Sequence, residues 1–180
     1  MRQIILASIS PRRRQLFKLL GLKFKVADSK YKEVMRQDLS HEQLVKVLAL
    51  GKAHSAAKRF PKAIIVAADI IVSFQGKAIG KPKSVKDAKN MLSNFSGKTH
   101  TDVTGVVVLD AASKQIISFI NKTKITFKKL SKQSILDYIA TGECFGKAGG
   151  YNLQGAGFNL IAKIDGDFTN GLGLAHDRGM

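Results

Sequence analysis

Apolar residues fall along this chain in two rhythms. Short continuous runs bounded by turn formers read as buried strands, and repeats at three- and four-residue spacing read as helices. The run QIILAS, residues 3–8, predicts a buried first strand. Ser10-Pro11 then supplies an N-cap and a proline at the first helical position, opening a helix that carries Leu16, Phe17, Leu19 and Leu20 and stops at Gly21. Residues 22–27 alternate as a second strand, followed by a polar loop holding Glu33. Ser40 with Gln43 three residues on forms a capping box, and Leu44, Val47, Leu48, Ala53 and Ala57 behind it keep helical spacing. AIIVAADIIVSF, residues 63–74, is too continuous for a half-exposed strand. It predicts the central strand of a sheet covered on both faces, turned back at Gln75-Gly76.

Further on, Ser84 caps a helix ending near Gly97, residues 100–109 and 115–127 predict two long strands, and 131–141 predict a helix stopped by Gly142. The glycine-dense segment 142–157 predicts a loop, and 158–164 a last strand. The chain then ends at GLGLAHDRGM, where no closing helix is expected. Early alternation of strands and helices, followed by strand pairs, predicts an α/β fold: a mixed twisted sheet with helices flanking both faces. Its 180 residues suit one domain with a core of its own.

Composition changes this picture in one respect. Thirty Lys and Arg face 13 Asp and Glu, a net charge of +17, which favours polyanionic partners: nucleic acid, anionic membrane or phosphorylated small molecules. The lysines are spread over the whole chain, so a solvated basic surface explains the number equally well. No apolar run is long enough to cross a bilayer, and MRQIILASISPRRR lacks the form of a secretory signal, which points to the cytoplasm and to no membrane partner. Cys144 is the sole cysteine, which excludes an intramolecular disulfide and the usual zinc clusters and leaves it without an activating partner. His41, His54, His100 and His176 share no metal-ligand spacing and are expected to be structural or solvated.

Four places could carry chemistry. At SISPRRR, residues 8–14, three arginines stand at the positive end of their own helix, which is useful only if an anion docks there. Ser8, Ser10, backbone N–H groups and the arginine forks would then converge on phosphate oxygens. Asp69 lies alone in an apolar run, where an ionised carboxylate needs a partner, a metal or the strand's open end. Gly80-Lys81-Pro82 fixes a compact cation on a turn, though GKP also occurs as an ordinary turn. In the glycine-dense loop, Glu143, Lys147, Tyr151 and Gln154 are the parts a base-recognition loop needs, and equally those of any mobile surface loop. The chain has no GxxxxGK[ST], which excludes a P-loop, and no GxGxxG after its first strand.

In order, LASISPRRRQLFKLLG, Glu33, LALGKAHSAA, AADIIVSFQGKAIGKP, AKNMLSNFSGKTHTDVTGV and TGECFGKAGGYNLQGAGFNLIAKIDGDFTN resemble the Maf family of nucleotide pyrophosphatases over nearly the whole chain. The resemblance implies an α/β mixed sheet with two lobes around a central cleft, similar to inosine triphosphatases. It implies metal-dependent hydrolysis of nucleoside triphosphates to the monophosphate and pyrophosphate, with Mg²⁺ or Mn²⁺. Ser8, Arg12, Arg13, Lys52 and Lys81 match the family's phosphate-contacting positions, with Lys52 and Lys81 taken into the catalytic set. Glu33 and Asp69 match its acidic positions, which hold the metal or activate water, and Gln154 falls in YNLQG near the base.

The form AAD…GKAGGYNLQG resembles the subfamily acting on dTTP, UTP and related modified nucleotides. Ile70 departs from the family by standing where a threonine is usual, and GLGLAH by replacing a GLP ending. A homodimer fits the same resemblance, and a stable nucleic-acid complex does not. The alternative is a non-catalytic nucleic-acid-binding or septum-regulating protein. It is disfavoured by 7% aromatic residues and no Trp, too few for a strand-stacking surface.

Overall fold

A computed structural model describes residues 2–174. Its centre is a seven-stranded mixed sheet. In sequence the strands are β1 (Ile4–Leu6), β2 (Phe24–Val26), β3 (Ile64–Phe74), β4 (Lys77–Ile79), β5 (Thr99–Asp110), β6 (Ile116–Phe127) and β7 (Ile161–Asp165). Across the sheet they run β2-β1-β3-β5-β6-β7, with β4 also on β3. Strand β1 is parallel to both neighbours, whereas β3, β5, β6 and β7 pair antiparallel. The mixed α/β sheet expected from the sequence is therefore present.

Helix α1 (Pro11–Lys18) starts where expected: Ser10 caps it by accepting the Arg13 amide, and the chain leaves it through Gly21 at φ 67°. Helix α2 (His41–Ala57) carries the full capping box, with Ser40 and Gln43 each satisfying the other's backbone N–H. Its buried stripe of Leu44, Val45 and Leu48 packs on Ile71 and Val103. Helices α3 (Val85–Phe95) and α4 (Lys132–Ala140) cover the opposite face, where Leu92, Phe95, Ile135 and Tyr138 meet Val72, Phe74 and Phe127. Helix α1 joins that side through Phe17, against Leu6, Val66 and Ala68. Side chains alternate across β3, so Asp69 and Ile71 look toward α2, while Ile70 and Val72 look away from it.

Two glycines set the approach of α2. A Cβ on Gly105 would sit 2.8 Å from the Val45 carbonyl oxygen, so β5 receives the helix backbone in direct contact. Gly105 stands opposite Asp69 in the sheet, and Lys52 lies seven residues, two helical turns, beyond Val45. The close approach thus delivers Lys52 over Asp69. A Cβ on Gly51 would fall 2.2 Å from the Tyr31 ring, showing how tightly the loop after β2 lies on the helix.

Two expectations need correction. The last strand does not begin at Phe158: residues 156–160 form a 3₁₀ turn and β7 starts at Ile161. Gly157 explains this, since a Cβ there would meet the Asn152 oxygen at 2.6 Å and the packed turn excludes extended pairing. The glycine-dense segment contains a second 3₁₀ turn at 148–150 and is folded rather than open. A short helix α5 (Phe168–Gly171), capped by Asp167 accepting from the Thr169 amide, leads into the GLGLAHDRGM ending. His176 and the rest of residues 175–180 lie outside the described residues.

Candidate active site

Strand lengths create the site. β1 follows β3 only as far as Leu6 beside Val66, and β4 joins β3 only from Val72 onward. Between them, residues 67–71 have no strand neighbour on that side. A cleft of about 840 Å³ opens there, bounded by the turn after β1, the loop after β2, the Gly80–Lys81 turn and the glycine-dense segment. Ser8, Arg12, Arg13, Glu33, Lys52, Asp69, Lys81 and Gln154 all line it. The structure thus brings these eight residues together, whereas Arg14 and Glu143, also singled out in the sequence, do not line the cleft.

At one wall, Asp69 is 93% buried and its Oδ1 accepts a short hydrogen bond from Lys52 Nζ. The same ammonium lies 2.7 Å from Glu33 Oε1, so two carboxylates from distant segments converge on one cation. Burial lifts the Asp69 carboxyl above its ordinary 3.8, while Lys52 and then Arg13 pull it down. Arg13 donates from Nε to the Gly173 carbonyl at 2.6 Å and reaches Ser8 Oγ with Nη1 at 3.5 Å. Burial lowers its pKa, against the attraction of Asp69. The tie to Gly173 joins the first helix to the C-terminal segment, which the sequence did not reveal.

At the other wall the glycine-dense segment is stitched to its surroundings. Gly149 N–H donates to the Gly80 carbonyl at 2.9 Å, setting Lys81 beside this segment. Asn152 N–H donates to the Tyr138 hydroxyl at 2.9 Å, and the Gln154 backbone N–H donates to Asn152 Oδ1. Desolvation pushes the Tyr138 phenol up to about 12, so it stays protonated. Gln154 and Lys81 are exposed at the cleft's mouth.

The sequence reading missed a buried polar group behind this wall. On β5, His100 Nδ1 lies 3.3 Å from Asp102 Oδ1, and His100 Nε2 lies 3.0 Å from the Tyr151 hydroxyl. Asp102 and Tyr151 both line the cleft. The available signal was faint, a carboxylate in the polar first half of a strand, THTDVT, that turns apolar only from Val106. Of the remaining candidates, Cys144 is buried and desolvation raises its thiol pKa, as an inert core cysteine requires. His41 donates to or accepts from Ser73 at 2.7 Å, away from the cleft. Among the described residues no three of His, Cys, Asp and Glu gather as a metal-binding group, and no helix is long and apolar enough to cross a membrane.

The family model described as Maf-like protein matches residues 3–178. The chain is 40% identical over 178 residues to a dTTP/UTP pyrophosphatase of Geobacillus sp. (strain WCH70), covering 99% of this chain and 95% of that protein. It is 43% identical to a protein of the same name from Bacillus pumilus, over 97% of this chain and 91% of the relative. Among solved structures, the Ham1 protein of Staphylococcus aureus superposes with a TM-score of 0.52 at 16% identity, covering 89% of this chain and 80% of that one, a likeness of fold. With nearly its whole length matched by the family model and by these relatives, the chain belongs to the Maf family.

Proposed function

We propose that the chain is a nucleoside triphosphate pyrophosphatase that cleaves dTTP, UTP and related modified nucleotides between the α and β phosphates. One observation carries the reading: an acid pair, Asp69 buried and Glu33 half-exposed, and a basic helix start line one cleft large enough for a nucleotide. The names of the relatives support the same substrate class. We take the chain as one domain whose two lobes share the cleft, working in the cytoplasm.

The donor set fits a hard divalent cation. Glu33 and Asp69 present oxygen only and already aim at one cation, the Lys52 ammonium. Mg²⁺ and Mn²⁺ are commonly held by one or two carboxylates with substrate phosphate oxygens completing the shell. When bound, such an ion would neutralise phosphate charge and lower the pKa of a coordinated water. The chain's own residues do the rest. Asp69, lifted by burial, is a stronger base than a surface carboxylate and accepts the proton of the water attacking the α-phosphorus. Arg12, Arg13, Lys52 and Lys81 hold the polyphosphate and offset the charge that builds on departing pyrophosphate. Ser8 orients Arg13, and Gln154 lies where the base enters.

A panel of natural and modified triphosphates with Mg²⁺, scored for pyrophosphate against orthophosphate, tests this. Pyrophosphate with the nucleoside monophosphate is the expected pair, and orthophosphate as sole product refutes the cleavage position.

A further inference from the structure

Beyond the acid pair and the exposed Asp28, the cleft is lined by a buried carboxylate that the proposed chemistry does not use. Asp102 projects from β5 opposite Val72, and so lies on the face turned away from Asp69 and Lys52. It is 98% buried yet lines the cleft. Around it are Tyr151, Leu153, Leu172 and the backbone of Gly171, where a Cβ would stand 3.3 Å from Asp102 Oδ2. This is the apolar, aromatic end of the cleft, opposite in character to the end built from Ser8, Arg13 and Lys52.

An ionised carboxylate has room for about four hydrogen bonds and donates none. Within the protein the side-chain neighbours of Asp102 are His100, with Nδ1 at 3.3 Å, and the Tyr151 hydroxyl, yet Asp102 Oδ1 and His100 Nδ1 are both left without a hydrogen-bond partner. Removing a carboxylate from water to that extent is unfavourable unless another donor arrives. Burial pushes the Asp102 pKa up, opposed first by His100, then by Arg12 and the Tyr151 hydroxyl. A phosphate cannot be the missing partner, because like charges repel. Of the substrate's own parts, a neutral N–H or O–H group of the nucleoside is the one that can supply the missing hydrogen bond.

We propose that Asp102 is a specificity-determining residue, accepting a hydrogen bond from the ring N–H of a base whose pairing edge is an imide, as in uracil and thymine. The inference rests on the pyrophosphatase reading of the cleft and deepens it. The base N–H is favoured over a ribose hydroxyl by depth: Asp102 lies at the cleft floor beside an aromatic ring, whereas the sugar must stay next to the phosphates at the basic end. Cytosine has an unprotonated ring nitrogen at the same place, so its lone pair would face the carboxylate. A site built around an acceptor rejects that ring because the acceptor is left unpaired.

The test compares kcat/KM for UTP, CTP and 3-methyl-UTP in the wild type and Asp102→Asn, a variant of equal size that can donate to a ring nitrogen. In the wild type, UTP should exceed CTP and 3-methyl-UTP by about 10- to 100-fold, the range expected for one hydrogen bond to a charged group. In Asp102→Asn, UTP turnover should fall and CTP turnover should rise in absolute terms, so that the ratio drops by at least about 10-fold. Equal losses on UTP and CTP would assign Asp102 to structure or to the ribose and overturn the inference alone. If the variant does not fold, the wild type decides: equal turnover of UTP and 3-methyl-UTP overturns it. Absence of pyrophosphate from every triphosphate in the wild type would bring down the pyrophosphatase reading, and this inference with it.

Discussion

Replacing Lys52 by methionine isolates the electrostatics of the acid pair, because methionine keeps the apolar stem and removes the charge. Lys52 Nζ touches Asp69 Oδ1 and Glu33 Oε1, with side-chain exposures of 10% for Lys52, 10% for Asp69 and 49% for Glu33. Without it, the two carboxylate oxygens face each other at no more than roughly 5 Å, and at an effective dielectric near 20 their repulsion is about 3 kcal/mol. Breaking a fully buried pair costs about 3–5 kcal/mol, and the half-exposed Glu33 screens part of that. The expected loss at pH 8 is about 2–3 kcal/mol, or roughly 5–10 °C in melting temperature for a chain of this size.

The loss should depend on pH with a definite sign. Asp69 has a folded-state pKa raised above its ordinary 3.8, chiefly by burial. Such a group binds its proton more readily when folded, so its contribution to stability is greatest below the unfolded value and is lost as pH rises through the raised folded value. Removing Lys52 takes away the main force opposing that rise and widens the window upward. Urea unfolding of wild type and Lys52→Met at pH 4, 6 and 8 checks this. The difference between them should be smallest at pH 4, under about 1 kcal/mol, because a raised Asp69 pKa favours the neutral acid toward low pH, and should grow toward pH 8. A difference that stays constant across the three pH values would mean that Lys52 acts through packing alone.

Three further outcomes follow from the same geometry. Lys52→Met should bind Mn²⁺ about 10-fold more tightly than wild type in the absence of nucleotide, since a competing cation has left the carboxylates; electron paramagnetic resonance titration of free Mn²⁺ measures it. Asp69→Asn should lower turnover by about 100- to 10,000-fold while nucleotide still binds by calorimetry, and normal turnover would remove Asp69 from the mechanism. Gly105→Ala should lower stability by about 1–3 kcal/mol, because its methyl group meets the Val45 carbonyl and α2 must lift. Turnover should fall with it as Lys52 is drawn off Asp69, and denaturant midpoint and kcat measured on one preparation check the pair.

Much of the fold was legible because each element carries its own local signal. The capping box at Ser40 and Gln43, the proline after Ser10 and the unbroken run 63–74 each act within a few residues, and each is found where the pattern puts it. The start of β7 was misplaced because Phe158 and Leu160 look like strand residues, whereas the constraint at Gly157 comes from Asn152 folded back upon it. That contact is invisible to periodicity. The tie from Arg13 to the Gly173 carbonyl, spanning 160 residues of sequence, is invisible for the same reason.

The site shows what such a pattern can and cannot convey. Asp69 stood out because a carboxylate in an apolar strand must find a partner, yet nothing in the sequence said that the partner would be Lys52 or that Glu33 would share it. That pairing depends on Gly105 admitting α2, on the two helical turns from Val45 to Lys52, and on the loop after β2 lying against Gly51. Asp102 obeys the same rule as Asp69 but stands amid threonines and a histidine, where a polar residue excites no suspicion. It became conspicuous only when its burial and its poorly satisfied oxygen were seen together. A strand conceals a functional carboxylate when its neighbours are polar for reasons of their own. The measurable residue is the hydrogen bond left unmade, which is why a base-edge substitution such as 3-methyl-UTP is a sharper probe of Asp102 than further inspection of the sequence around it.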